Sequence, residues 1–279
     1  EATLCAELIT EKLVYEDNTL DILSGAAGTA SALLTLFRAT GNQRILEKAS
    51  LCGSHLVAKR RDLGNGMVAW AADDSSPLLT GFSHGAAGIA FALLSLYRET
   101  GASDLYDVAE GAIAFEDTQY DSGIGNWKDN RAAPGELPPE DSSALMWGWC
   151  NGAPGIALSR IGTLDVYDNQ SVRNQIEMSL DSTSAIDHLR SDHLCCGNAS
   201  ISEVLLSAGA LHQRHDWQDA ALGFTAHSVS RHTKDGRFIP HSVFNDLFNP
   251  SLFQGSSGFG YHLLRLLEPA DLPNILLLE

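Results

Sequence analysis

The chain has 279 residues, 44% of them hydrophobic and 19% charged, which is the composition of a packed globular protein and not of a disordered one. Eighteen Lys and Arg against 35 Asp and Glu give a formal charge of −17, so a phosphate backbone is repelled and nucleic acid is not an expected partner. No apolar run approaches the ~20 residues of a membrane span, no signal segment opens the chain, and the adjacent Cys195 and Cys196 among five cysteines suit free or metal-bound thiols, so a soluble, cytoplasmic protein is expected.

In chain order, the first strong element is a helix opening at Gly25-Ala-Ala-Gly28. Ala30, Leu33, Leu34 and Phe37 follow helical spacing, and Gly41 is a natural stop. A more charged helix over 44–59 comes next, then a short strand near 67–71. Sixty positions after the first motif, Gly85-Ala-Ala-Gly88 repeats it, and Leu93, Leu94, Leu96, Arg98, Thr100 and Gly101 match Leu33, Leu34, Leu36, Arg38, Thr40 and Gly41. The match runs on into the next segment, where Leu105, Tyr106 and Ala109 match Ile45, Leu46 and Ala49. The stretch 121–140, rich in Gly, Pro and acidic residues and containing Trp127, reads as a long surface loop that could wall a peptide groove. Weaker copies of the motif open at Gly152-Ala-Pro-Gly155, Gly197-Asn-Ala-Ser200 and Gly255-Ser-Ser-Gly258, with a second short strand near 238–240. Five copies of a helical hairpin predict an all-α array with an apolar inner ring and a charged outer ring, forming a single domain over 1–279. The paired glycines allow positive φ and close backbone approach, both suited to helices aimed at a common centre.

The residues just before these glycines carry chemistry: Asp21, His84, Cys150, the pair Cys195-Cys196, and Gln254. Inner helices that start on one face of a ring would turn these side chains toward one another. Cys150, Cys195 and Cys196 then make a soft donor set for Zn²⁺ with one tetrahedral position left over, the alternative being cysteines that fill core space. His84 can exchange protons near neutral pH with Asp21 as an acidic neighbour; a backbone-bonded histidine and a helix-capping aspartate are the plainer readings. His193, two residues before Cys195, could support or replace a ligand, a solvated loop histidine being the plainer reading, and it is left unassigned; Cys5 and Cys52 are expected to be packing residues.

Taken together, Asp21-Ile-Leu-Ser-Gly-Ala-Ala-Gly, Gly81-Phe-Ser-His84-Gly-Ala-Ala-Gly, Trp149-Cys150-Asn-Gly-Ala-Pro-Gly, Leu194-Cys195-Cys196-Gly-Asn and Leu252-Phe-Gln-Gly-Ser-Ser-Gly resemble the lanthionine synthetase C-like cyclases over essentially the whole chain. The ending Leu272-Pro-Asn-Ile-Leu-Leu-Leu-Glu279 is similar to that of class II lanthipeptide synthetases, whose last domain is this cyclase. The resemblance implies an α/α toroid, here lacking the first hairpin or hairpins and forming the C-terminal part of a larger protein. It implies a zinc-dependent enzyme that adds cysteine thiols to dehydroalanine or dehydrobutyrine in a dehydrated precursor peptide, after an upstream dehydratase. By motif, Cys150, Cys195 and Cys196 would be the zinc ligands, with Cys196 standing where the family commonly has histidine; His84 would be the proton-transfer group and Asp21 its partner. Some stand-alone relatives carry Arg and Tyr where this chain has Met146 and Asn151. The competing readings are a zinc-stabilised binding module of the same family and an α/α-ring glycosidase, which would need paired carboxylates.

Overall fold

The computed structural model describes residues 1–73, 75–131, 145–236, 238–239, 248–269 and 271–278. Two short helices, α1 (Ala2–Glu7) and α2 (Glu11–Glu16), precede the first hairpin, α3 (Ala26–Thr40) with α4 (Gln43–Lys59). An antiparallel ribbon, β1 (Arg61–Gly64) with β2 (Met67–Ala69), leads to α5 (Ala86–Thr100) and α6 (Ser103–Asp117). A second ribbon, β3 (Tyr120–Asp121) with β4 (Asn126–Trp127), is followed by the hairpins α7 (Ala153–Ile161) with α8 (Gln170–Ser184) and α9 (Asn198–His212) with α10 (His215–Asp235). Helix α11 (Ser256–Leu267) and a 3-10 turn, Ile275–Leu277, complete the order.

Each of the five glycine motifs begins a helix: Gly25, Gly85, Gly152, Gly197 and Gly255 are the N-caps of α3, α5, α7, α9 and α11. Those helices contact one another in sequence and form the inner layer, and α4, α6, α8 and α10 pack outside them. Both glycine stops anticipated from the repeat are present, since Gly41 and Gly101 end α3 and α5 in the left-handed conformation at φ 68° and 69°. No described helix is long and apolar enough to cross a membrane.

The glycines act chiefly through close approach. A Cβ on the second small residue, at Gly28, Gly88, Gly155 or Gly258, would lie 1.8–1.9 Å from the carbonyl oxygen of Ile22, Phe82, Trp149 or Leu252. Four of the five inner helices are thereby seated on the turns before them; α9 has Ser200 at this place. Positive φ is used at one of the five caps, Gly152 at 95°; the other four are extended. The turns are also stitched together laterally by backbone hydrogen bonds. Ile22 N donates to Ser83 O (3.1 Å), Ser83 N to Cys150 O (3.0 Å), Cys150 N to Cys195 O (3.2 Å) and Cys195 N to Phe253 O (2.9 Å). This chain of bonds joins all five turns at one end of the inner layer.

The C-terminal tail crosses the inner helices. Trp149 Nε1 donates to Leu276 O (2.8 Å), Thr35 Oγ1 to Leu278 O (2.7 Å) and Asn274 Nδ2 to Ser207 Oγ (2.9 Å).

Several local expectations need correction. The strand near 67–71 is the second half of a ribbon whose first half, β1, carries no alternating pattern. The stretch 121–140 is a surface loop only in part of what is described: the turn of the β3–β4 ribbon exposes Ser122, Gly123 and Ile124, but Trp127 is buried at 1% exposure, and 132–144 lie outside the described residues. Phe238 and Ile239 form no strand, and Pro240 lies outside the described residues.

Candidate functional site

The stitched end of the inner layer places the candidate residues. Cys150 lies in the turn before α7, and Cys195 and Cys196 in the turn before α9; the Cys150 N to Cys195 O bond fixes one turn against the other. The three sulfurs lie within 4.8 Å of one another, two of the residues being buried and Cys196 half-buried. Sulfurs each ~2.3 Å from a tetrahedral metal sit ~3.8 Å apart, so the cluster fits one such ion with little movement.

The thiol chemistry is divided. Hydrogen bonds from Cys150 and Cys195, helped by the positive charge of Arg131, hold the Cys196 thiol down at about 4. Cys150 is lowered by its bond with Cys195, but its bond to Cys196, burial and the Cys196 charge outweigh this and push it up to about 12. Cys195 is raised further, first by its bond to Cys150. The three sulfurs thus favour a single shared negative charge, and a bound cation would favour loss of the remaining protons.

His84, in the turn before α5, donates from Nδ1 to Asp21 Oδ2 at 2.6 Å. That bond raises the pKa of His84 above its ordinary 6.5, against the effect of burial, with the charges of Asp21 and Cys150 adding to the rise. Its side chain is 47% exposed while that of Asp21 is 7% exposed, so the pair has a solvent-facing imidazole on a buried carboxylate. The other oxygen of Asp21 accepts from Ser24 N at 2.8 Å, so Asp21 does cap its own turn. Helix α3 is capped by Asp17, whose Oδ2 accepts from Ala26 N at 2.8 Å.

Gly81 in the His84 turn meets the Cys150 turn directly. Its φ of 97° disfavours any side chain, and a Cβ there would lie 2.3 Å from Asn151 Oδ1, a buried oxygen with no hydrogen-bond partner. Ser83 Oγ donates to Cys150 O at 3.0 Å, a second tie between the histidine and cysteine turns.

Two further residues belong to the site. His193 is 2% exposed and not a solvated loop residue: its Nδ1 accepts from Cys196 N (3.3 Å), its Nε2 lies 4.0 Å from Cys196 Sγ, and burial lowers its pKa. Arg131 pairs with Asp129, its Nη2 lies 2.7 Å from Met146 Sδ, and its charge acts on Cys150, Cys196 and His84. The sequence held only the faint signal of a lone arginine in an acidic stretch. Gln254 is exposed. Cys52 is buried and pushed up to about 12 by burial, whereas Cys5 is exposed and is no packing residue.

The model of the lanthionine synthetase C-like protein family matches residues 2–277. The chain belongs to that family. Among solved structures, this family member is similar to nisin cyclase at 17% identity and TM-score 0.73, covering 97% of this chain and 72% of that one. Its architecture is accordingly an α/α toroid. It is also similar to cellobiose 2-epimerase from Bacillus thermoamylovorans B4167 (11% identity, TM-score 0.56, 76% of this chain and 62% of that). A GH76 alpha-mannanase from Bacteroides thetaiotaomicron follows (15% identity, TM-score 0.52, 74% and 56%). A helical toroid thus serves different chemistries, and the side chains at its mouth must decide between them.

Proposed function

We propose that this lanthionine synthetase C-like protein is a zinc-dependent peptide cyclase, which adds cysteine thiols of a dehydrated precursor peptide to dehydroalanine or dehydrobutyrine and so forms thioether rings. The observation that carries the reading is the meeting of three cysteine sulfurs within 4.8 Å at the mouth that also holds the His84–Asp21 pair. A glycosidase is disfavoured because Asp21 is the one carboxylate in the four residues before each of the five helix-capping glycines.

Cys150, Cys195 and Cys196 would hold the zinc, whose chemistry is to lower the pKa of a bound substrate thiol so that it attacks as thiolate. Three thiolates leave the site near −1, which favours nucleophilicity of that sulfur over Lewis acidity and points to fast attack with relaxed substrate choice. The protein's own groups do the proton work. As the substrate sulfur bonds to the β-carbon, the C=C electron pair moves onto the α-carbon and its carbonyl. His84, protonated because Asp21 accepts from Nδ1, returns a proton from Nε2 to the α-carbon. The net change is S–H added across C=C. Arg131 adds positive charge beside the cysteines and His84, where negative charge develops. A dehydratase acting first on the precursor, and a cytoplasmic setting that keeps thiols reduced, belong to the same reading.

The test pairs metal content with thiol loss. The protein should carry one zinc per chain, Cys150→Ala should lose it, and a synthetic dehydrated peptide should lose its free thiol only with the zinc-loaded protein. His84→Ala should keep the zinc and slow thiol loss by ~100-fold or more. Full zinc with no thiol loss would instead identify a binding module, and a metal-free protein that still cyclises would remove zinc from the mechanism.

A further inference from the structure

Beside His84 lies a cavity of about 410 Å³ whose wall includes His84 and Asp21 themselves. The rest of the wall is largely apolar, with Trp70, Pro77, Leu79 and Ile89. Trp70 follows β2 directly, and its indole N–H is spent on Leu56 O at 2.8 Å, so the ring is held in place and offers the cavity no donor. Both oxygens of Asp21 are likewise engaged, one by Ser24 N and one by His84 Nδ1. Ile89 stands on α5, whose buried run holds it rigidly.

We propose that this cavity is a side-chain subsite that takes an apolar residue of the peptide substrate, the one bonded directly to the dehydro residue under attack. The proposal rests on the cyclase reading above. Its logic is distance. A proton passing from His84 Nε2 to the α-carbon brings that carbon within ~3 Å of the imidazole. The flanking residue's α-carbon is then only ~3.8 Å further along the chain. A side chain on that residue reaches the cavity that adjoins His84, and the cavity has room for one large side chain. Leucine, isoleucine, methionine or phenylalanine would exchange water for the Trp70, Leu79 and Ile89 surfaces. A lysine would be dehydrated there with no carboxylate of the wall free to pair with it, because both oxygens of Asp21 are engaged and only the Thr19 and Ser76 hydroxyls remain. The peptide is thereby selected at one position next to the acceptor, and the rest of the ring pattern is left free.

The experiment uses the zinc-loaded protein and inert peptides in which alanine replaces the dehydro residue, with leucine or lysine on either side in turn, titrated by calorimetry. The leucine peptide should bind roughly tenfold to a hundredfold more tightly than the lysine peptide on one of the two sides. Leu79→Trp, which fills the cavity from its half-buried wall, should shrink that ratio to within about threefold. Ala72→Trp, placed at the exposed rim, gives a second block if the first variant does not fold. Equal affinities in the wild type on both sides, or a preference that survives blocking of the cavity, would overturn the subsite. The reactive peptides separate the two claims: thiol loss without a leucine preference sinks the subsite alone, and a leucine preference without thiol loss from any peptide sinks the cyclase reading alone.

Discussion

Helices α3 and α5 are the two best copies of the repeat, identical at ten of fifteen positions, and they live in different surroundings. In α5 every residue from Ala86 to Leu96 is buried; in α3 only Ala26, Ala27, Ala30, Ser31, Leu33 and Leu34 are. Helix α5 lies between α3 and α7, whereas the far flank of α3 meets the short α1 across an open cavity of about 660 Å³ lined in part by Cys5, Ala6 and Ile9. Two of the five positions that differ follow this. Where α3 has Thr29 and Ser31, α5 has Ile89 and Phe91, larger apolar groups with neighbours to fill. A shared repeat specifies that a helix forms and where it starts; the neighbours decide how much of it is core.

The sharpest way to break the comparison is to place the same charge at the same repeat position. Ala92 is 0% exposed and its counterpart Ala32 is exposed. Ala92→Asp buries a carboxylate among apolar side chains and should cost several kcal/mol, a large share of the ~5–15 kcal/mol that holds a domain together. Ala32→Asp should stay within ~0.5 kcal/mol. Circular-dichroism melting of the two variants decides it, and equal losses would mean that α3 is as enclosed as α5.

Leu96 and Leu36 test packing without charge. Leu96 is 0% exposed and packs against α4, where a Cβ on Gly53 would come within 2.7 Å of its Cδ1; Leu36 is half-buried. Leu96→Ala should cost ~2–5 kcal/mol in urea titrations, and Leu36→Ala about 1 kcal/mol.

The same contrast shows how far the sequence could be read. All five inner helix starts, the two-layer arrangement and the strength of the first two copies followed from Gly-x-x-Gly spacing and helical periodicity, because both are local signals. The residues of the candidate site could be nominated because they sit at one place in the repeat, which the lateral hydrogen bonds then bring to one end. What escaped was held by long-range contacts. Asp17 caps α3 from nine residues before Ala26. His193 carries two readings, a loop histidine and a group supporting the cysteines, and only the turn that buries it against Cys196 decides between them. Arg131 reaches the cysteines only because the β3–β4 ribbon folds the chain back, and two-residue strands are too short for a period to show.

On the proposed mechanism the proton work is divided between the two copies as well, since α3's turn supplies Asp21 and α5's turn supplies His84. The raised pKa of His84 gives a definite sign. The pair's stabilisation is complete below 6.5, the ordinary histidine value, and is lost as pH climbs through the raised value. The proton available for catalysis disappears over the same window, so cyclisation should fall on that alkaline limb. Asp21→Asn should move the limb to lower pH and reduce the rate at mildly alkaline pH by about tenfold, or ~1.4 kcal/mol, with zinc retained. A pH–rate profile unchanged by Asp21→Asn would separate the carboxylate from the proton transfer.

The smallest contrast lies at the far end of the same helices, where each copy's arginine reaches for the next copy. Arg38 Nε donates to Glu99 Oε1 on α5 at 2.7 Å, and Arg98 Nε donates to Asp165 Oδ2 beyond α7 at 2.6 Å. Such surface pairs contribute ~0–1 kcal/mol, and salt screens them. Arg98 has one thing more: its Nη2 donates to Gly162 O at 2.8 Å, so its charge sits at the C-terminal end of α7, where unpaired carbonyls concentrate negative charge. Arg98 is also less exposed, 25% against 40% for Arg38. Arg98→Ala should therefore cost about 1 kcal/mol and keep part of that loss in high salt, while Arg38→Ala should cost about half as much and lose its effect there. Urea titrations of the two single variants at low and high salt measure this directly, and double-mutant cycles with Glu99→Ala and Asp165→Ala subtract the ion-pair coupling. If the losses that remain after that subtraction prove equal for the two arginines at every salt concentration, the bond to Gly162 contributes nothing, and the difference between the copies ends at their buried faces.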